Sequence, residues 1–416
     1  MSQGRPLYLF NASLIDGSGV DKRGRPYALL IRGERIEAVA PQEDMPCPEG
    51  AEKLDVKGFT VMPGLIDCHE HMATMPGGMQ ERATIPQSLA VLKTAAIMKD
   101  TLLGGFTAIR DAGGLDVGLK LGVEQGLIQG PRVKISVNML SQTGGHGCHI
   151  ELAGIDSNYP LLPGLPHYAC DGVAQCRLST REMILAGADW IKLCTTGGIS
   201  TRIGGPLTRQ FSLEEVEAIA DTAHAAGKPV MCHAYGGEGA DIALAAEVDS
   251  MEHGAALTRA QLELMERRDV FLVPTFSVLR KVVALDERRP GALPEYVPRK
   301  ARELLARQRE SFATALELGV RIALGTDAGG IERGRNADEL AYMVEAGMTP
   351  MQAIVAGTSM AARCMGLGDE AGLLAQGKLA DLLVVEGDPL ADITLLQDRE
   401  RLRIIMQGGN FIEDRP

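Results

Sequence analysis

The chain places its few histidines in a particular way. Of eight in 416 residues, four end or closely follow short apolar runs: His69 and His71 in "IDCHEH", His233 in "VMCHA" and His253 in "SMEHG". Residues two apart in a strand face the same side, so the imidazoles of His69 and His71 can reach one ion. Asp327 ends another such run in "LGTDAGG", and Lys192 lies between Ile191 and Leu193 in "DWIKLC". Taken singly these signals are weak. A strand-end histidine is ordinarily a hydrogen-bonded structural residue, and an aspartate before glycines is ordinarily a turn residue. Together they bring imidazole and carboxylate donors to the ends of several apolar strands, which is the chemistry of a divalent metal centre. Lys192 fits neither pattern, because an unpaired ammonium in a strand interior costs several kcal/mol. It must snorkel, pair with an acid, or change its chemistry.

The elements that position these groups can be read from hydrophobic period. Short apolar runs alternate with helical patterns through the middle of the chain: "FTVMPGLIDCHEH", "FTAIRDAGG", "VKISVNML", "DWIKLCTTGG", "PVMCHAYG", "DSMEHG", "VFLVPTF" and "RIALGTDAGG". Helix starts are marked between them. Ser212 and Glu215 have capping-box spacing, and the helix they open closes near Gly227. Thr349, Pro350 and Gln352 open a helix that extends through "AIVAGTSMAARCMGLG". Eight βα units predict an α/β fold with a closed (β/α)8 TIM-like barrel, whose chemistry belongs at the strand C-termini. An open doubly wound sheet would need a Gly-rich phosphate fingerprint after its first strand, and none is present. The chain ends differ: "LYLFNASLIDG", "YALLIRGERIEAVA", "ADLLVVEGD" and "RLRIIMQGGNFI" alternate apolar and polar residues between turns. This predicts a composite β-sandwich domain from residues 1–57 and 369–416, with the barrel spanning 58–368.

Composition agrees with a soluble globular protein and argues against other classes. Hydrophobic residues make up 45% and charged residues 23%. A net charge of −12 argues against a general nucleic-acid or anionic-membrane surface. No apolar run reaches membrane-spanning length and no secretory signal is evident, so the expected location is cytoplasmic. The eight cysteines are scattered without a C-x-x-C pair, consistent with reduced, buried thiols.

The set "PGLIDCHEH", "DWIKL", "VMCHA", "SMEHG" and "LGTDAG", in that order and followed by "GKLADLLVVEGDP", resembles the amidohydrolase superfamily in its binuclear-metal branch. The resemblance covers essentially the whole chain and is closest to the imidazolonepropionase-like subgroup that contains Xaa-Pro dipeptidases. It implies that Lys192 is carboxylated by CO2 to a carbamate bridging two divalent ions, with zinc the default and manganese, cobalt or iron as alternatives. His69, His71 and Asp327 would complete the more buried metal, and His233 and His253 the outer one. A bridging water acidified by both ions would be the nucleophile. Asp327 would act as general base and then acid.

The resemblance also implies roles for His146, in "SQTGGHGCH", and for Tyr235 in holding or polarising the substrate. Arg202 and Arg209 are further candidates for a substrate carboxylate, against the plainer reading of solvated surface. His149 and His167 lie in loops, His224 reads as structural, and Asp67 could orient a ligand imidazole. Asp111 could tie loops together with Arg110 as its partner. The expected function is hydrolysis of an amide bond in a small-molecule substrate, dipeptidase- or carboxypeptidase-like or acting on N-acyl amino acids. Aryl urea, carbamate or cyclic amide hydrolysis is the alternative within this chemistry, and a non-catalytic scaffold is the alternative outside it. Relatives of this kind are often symmetric assemblies, so a homo-oligomer is an open expectation.

Overall fold

The computed structural model of the protein describes residues 5–74, 84–148, 150, 154, 156, 165–329 and 334–414, and His149 lies outside them. Two compact units are present, and neither is a single continuous block. One comprises Met1–Asp67, Lys99–Ala108 and Gly334–Pro416, the other Cys68–Met98 and Ile109–Arg333.

The N-terminal strands are β1 (Leu7–Leu14), β2 (Tyr27–Arg32), β3 (Arg35–Pro41), β4 (Glu52–Asp55) and β5 (Phe59–Pro63). The middle of the chain supplies β6 (Leu65–Glu70), β7 (Phe106–Asp111), β8 (Arg132–Ile135), β9 (Met139–Leu140), β10 (Ile191–Cys194), β11 (Val230–Gly236), β12 (Ser250–Ala256) and β13 (Phe271–Val273). The C-terminal strands are β14 (Leu382–Glu386), β15 (Leu402–Gln407) and β16 (Asn410–Asp414).

The strands from the two chain ends share one eight-stranded sheet, ordered β16-β15-β14-β5-β1-β2-β3 with β4 beside β1. Period-2 alternation builds its core. Leu7 and Leu9, Leu29 and Ile31, Leu382 and Val384, and Ile404 and Met406 point into one cluster, while Tyr8, Ala28 and Leu30 pack on the opposite side.

In the other unit the runs are continuously apolar because both faces of the strands are covered. The strands β9 to β13 form a parallel sheet in the order β13-β12-β11-β10-β9, and β6, β7 and β8 form a second sheet. The run at 321–328 joins on both sides: the Leu272 amide donates to Arg321 O at 2.8 Å, and the amides of Cys68 and Asp327 exchange bonds with Leu324 O and His69 O at 2.8 and 2.7 Å. Helices follow the strands in sequence, including Leu213–Ala225 after β10, Gly237–Ala245 after β11, Arg259–Arg267 after β12, and Phe276–Arg288 with Tyr296–Leu318 after β13.

The caps read from sequence are formed. Ser212 with Glu215 and Thr349 with Gln352 make reciprocal capping boxes, and Thr258 with Gln261 makes a third. The helix opened by Thr349 is shorter than its pattern suggested. It ends at Ala356, and a second helix runs from Ser359 to Cys364. Gly357 and Thr358 interrupt it; Thr358 has φ −132° and ψ −96°, far from helical values. Among the described residues, no helix is long and apolar enough to cross a membrane.

Candidate metal centre

Strand register fixes where the polar side chains emerge. Lys192 on β10 is level with Met139 on β9 and Met231 on β11, and His233 is level with Cys194 and Glu252. His69 is 1% exposed, Lys192 and His233 2%, and His253 3%. The His71 Nε2 atom lies 3.4 Å and the His69 Nε2 atom 3.7 Å from Asp327 Oδ1, and the three side chains offer ligand atoms within 4.8 Å of one another. The imidazoles then run on as a chain: ring centroids are 5.1 Å apart for His69 and His253 and 4.6 Å for His253 and His233. His146 stacks on His233 at 4.0 Å and Tyr235 on His253 at 4.9 Å. The histidines and Asp327 picked out in the sequence, with His146 and Tyr235, are thus neighbours in space.

Each ring is held through one nitrogen. The His69 Nδ1 atom is 2.7 Å from Glu252 Oε2, and His71 Nδ1 donates to the Gly113 carbonyl at 2.9 Å. Likewise His253 Nδ1 is 2.7 Å from Thr275 Oγ1, and His233 Nε2 donates to the Gly197 carbonyl at 3.1 Å. Such contacts leave the second ring nitrogen as the available lone pair, the arrangement that metal-ligating histidines use. Burial disfavours the imidazolium form of His69, His233 and His253. The charge on Lys192 adds to this for His69, while His146 adds to it for His233. For His253 the result is a pKa pushed down to about 3. Their lone pairs are therefore free of protons at neutral pH, as metal binding needs. Asp327 behaves oppositely. Burial alone would raise its pKa, but the His71 hydrogen bond and the nearby rings hold it below the ordinary carboxylate range.

Lys192 Nζ has no hydrogen-bond partner among the described residues. An ammonium in this position is a buried cation among electron-pair donors, and no acid among the described residues is in direct contact with it. Its burial excludes snorkelling, and no ion pair joins it to an acid among the described residues. The donor set around it fits divalent metal ions, two carboxylate oxygens and imidazole nitrogens being their usual partners.

Backbone geometry marks the same strand ends. His253, Thr275 and Asp327 take left-handed φ of 71°, 48° and 55°. Such conformations cost non-glycine residues about 1–3 kcal/mol and cluster where side chains must be aimed.

Some supports were not legible in the sequence. Glu252, the residue before His253, reads as an ordinary strand glutamate, yet it is fully buried between His69 and Arg110. Arg110 Nη2 donates to Glu252 Oε1 at 2.9 Å, Nε to the Cys68 carbonyl at 2.7 Å, and its guanidinium lies over the Trp190 ring at 4.3 Å. Arg110 therefore turns to Glu252 instead of Asp111. Asp111 ties its loop through the amides of Met72, Gly113 and Leu115. Adjacent strand residues face opposite sides, which is why the two part. Asp67 accepts from Asn336 Nδ2 at 2.9 Å. The Glu252→Ala variant is expected to lose about 3–5 kcal/mol of stability, since it removes the carboxylate from a fully buried guanidinium. Chemical denaturation would read this, and a loss below about 1 kcal/mol would refute the pairing.

The loop candidates separate. His146 is half-buried, with Nδ1 3.0 Å from Thr201 Oγ1 and its amide donating to Gln210 Oε1 at 2.9 Å. Arg202 and Arg209 are exposed, and Arg209 Nη1 donates to Glu238 Oε1 at 2.8 Å. His167 is exposed and stacks on Tyr168, and His224 pairs with Asp249.

Comparison with known proteins agrees with this geometry. The model of a family described as the amidohydrolase family matches residues 60–412. Ochratoxinase of Aspergillus niger is 31% identical, the match covering 97% of this chain and 86% of that protein. A solved prolidase complexed with N-methylphosphonate-L-proline is 32% identical with a TM-score of 0.89, over 99% of this chain and 100% of that one. A solved Xaa-Pro dipeptidase with methionine bound in its active site is 30% identical with a TM-score of 0.88, over 98% and 100%.

Proposed function

We propose, for a chain that belongs to the amidohydrolase family and is therefore a hydrolase acting on carbon–nitrogen bonds, that it cleaves the amide bond of a dipeptide or N-acyl amino acid with a free carboxylate. His69, His71 and Asp327 would hold one divalent ion, zinc by default, and His233 and His253 a second. Lys192, carboxylated by CO2, would lie between them. Bound ions supply a Lewis acid for the carbonyl and water acidified towards neutral pH. The single observation that carries this reading is Lys192: a buried amine with no hydrogen-bond partner among the described residues, beside imidazoles whose burial keeps them neutral. Loss of two protons from the ammonium nitrogen and addition of CO2 to it would convert that isolated cation into a carbamate anion suited to two cations.

The chain's own residues then divide the work. Asp327 stays ionised, takes a proton from the attacking water at its carboxylate and returns it to the leaving amine. Tyr235 is 2% exposed, and burial raises its pKa, so the phenol stays protonated and can donate to the developing oxyanion. His146, locked against His233 and Thr201, would orient the substrate. Within this reading, residues 58–368 form a (β/α)8 barrel, supported by the strand pairs that run through 321–328, and residues 1–57 with 369–416 form a β-sandwich domain. A cytoplasmic location is supported by eight cysteines that are not joined in disulfides.

The solved prolidase and Xaa-Pro dipeptidase relatives support the dipeptide-type substrate. The test is a screen of dipeptides and N-acyl amino acids with metal-loaded enzyme, alongside elemental analysis, for which roughly two divalent ions per chain are expected. Amidating the carboxylate of the best substrate should lower kcat/KM on the order of a hundredfold, through loss of one or two charge-assisted hydrogen bonds. Equal turnover of acid and amide would set aside the dipeptidase-like reading while leaving the metal chemistry intact.

A further inference from the structure

Lys300 is 5% exposed and lies near the start of the helix Tyr296–Leu318. Its ammonium meets backbone: Nζ donates to the Thr201 carbonyl at 2.7 Å and to the Gly204 carbonyl at 2.9 Å. It also lies 5.0 Å from the centre of the Tyr296 ring, one helical turn earlier. Both carbonyls belong to the loop that follows β10.

That loop touches the candidate metal centre. Thr201 Oγ1 accepts the Gly198 amide at 2.7 Å and lies 3.0 Å from His146 Nδ1. Gly198 lies against the His146 ring, and a Cβ there would come within 2.2 Å of it. The same ring stacks on His233 at 4.0 Å, and His233 Nε2 donates to the Gly197 carbonyl at 3.1 Å. Lys300 and His146 are thus joined through one residue, Thr201, which meets the first at its carbonyl and the second at its hydroxyl.

The loop has reason to need a clamp. Residues 197–205 include four glycines, which leave an unheld backbone free to take many conformations. Its two ends are tied to each other, Gly197 N to Thr208 O at 3.0 Å and Gln210 N to Thr195 O at 2.8 Å. The turn between them is held to the helix by the lysine. Bonds from an ammonium to carbonyls are charge-assisted, roughly twice as strong as neutral ones. The helix is a firm base for them, because Val297, Ala301 and Leu304 pack with Ile199 and Tyr235 in one apolar cluster.

We propose that Lys300 is a positioning residue for the hydrolysis: by holding the Thr201 and Gly204 carbonyls it fixes the loop that sets His146 against His233, and through His146 it sets the orientation of the substrate. The inference rests on the amide-hydrolase reading.

The experiment is a double-mutant cycle on the metal-loaded full chain, with L-alanyl-L-proline, L-methionyl-L-proline and N-acetyl-L-phenylalanine as probes. Lys300→Met keeps the apolar stem and removes the donors. It should lower kcat/KM for the best of the three about tenfold or more. In a His146→Ala background the same substitution should cost less than about twofold, because the group it positions is gone. A guanidinium can also donate to two carbonyls, so Lys300→Arg should lose at least about threefold less than Lys300→Met. Hydrogen exchange in the loop 197–210 should be faster in Lys300→Met than in wild type, with metal content unchanged. If Lys300→Met does not fold, Lys300→Gln takes its place. Equal losses in the two backgrounds, or wild-type kcat/KM in the folded Met or Gln variant, overturn the positioning role. Failure of the amide-hydrolase reading would look different: metal-loaded wild type would turn over none of the probes, and the positioning role would fall with that reading.

Discussion

Replacing Lys192 with alanine is expected to remove metal and activity together, with turnover falling at least about a thousandfold, a scale typical of losing a group on which a catalytic centre depends. The reason lies in its surroundings. Lys192 is 2% exposed, lacks a hydrogen-bond partner among the described residues, and sits close enough to His69, His233 and His253 to disfavour their protonation. As an ammonium it would repel divalent ions from these imidazoles; as a carbamate it would attract them. Short carboxylic acids such as acetate, added to the alanine variant, should restore part of both metal and activity by occupying the vacated space. Lys192→Arg should not, because a guanidinium cannot be carboxylated and keeps its positive charge. Elemental analysis and turnover, measured on the same preparations, check this. Full metal content with retained turnover in Lys192→Ala would overturn the bridging role.

Asp327→Asn should lower kcat on the order of a thousandfold, the contribution general acid–base groups commonly make. Asparagine keeps the size of the side chain and a carbonyl oxygen, but it cannot shuttle a proton. The wild-type carboxylate is held ionised against the cost of burial by the His71 hydrogen bond and the adjacent imidazoles. Its backbone, at φ 55°, suits asparagine as well as aspartate, so the fold should persist. Circular dichroism and thermal denaturation would establish that the variant is folded, and single-turnover kinetics would isolate the chemical step. A folded variant that still turns over at near wild-type rate would remove Asp327 from the reaction while leaving it a candidate ligand.

The sequence by itself determined those features that depend on short-range physics. The two-residue spacing of His69 and His71, the alternation that builds the sheet of the chain ends, and the Ser212–Glu215 and Thr349–Gln352 caps are local, since strand pleat and helix turn impose them on neighbouring residues. The anomalous position of Lys192 was legible too, because a charged residue inside an apolar run is out of place wherever that run folds.

Tertiary structure decided the partners. Glu252 reaches His69 across 183 residues, Arg110 reaches Glu252 across 142, and Thr275 supports His253 from the next strand end. Nothing in the strings "SMEHG" or "AIRDAGG" announces these pairings. They arise only when parallel strands align in register and bring residues far apart in sequence to the same height. The same holds for the two classes of basic residue. Arg209 looked available for a carboxylate and is paired with Glu238, whereas Lys281, a lysine on the helix Phe276–Arg288, is buried. A helix pattern tells which residues share a face, but only packing against other elements decides which faces lose their water.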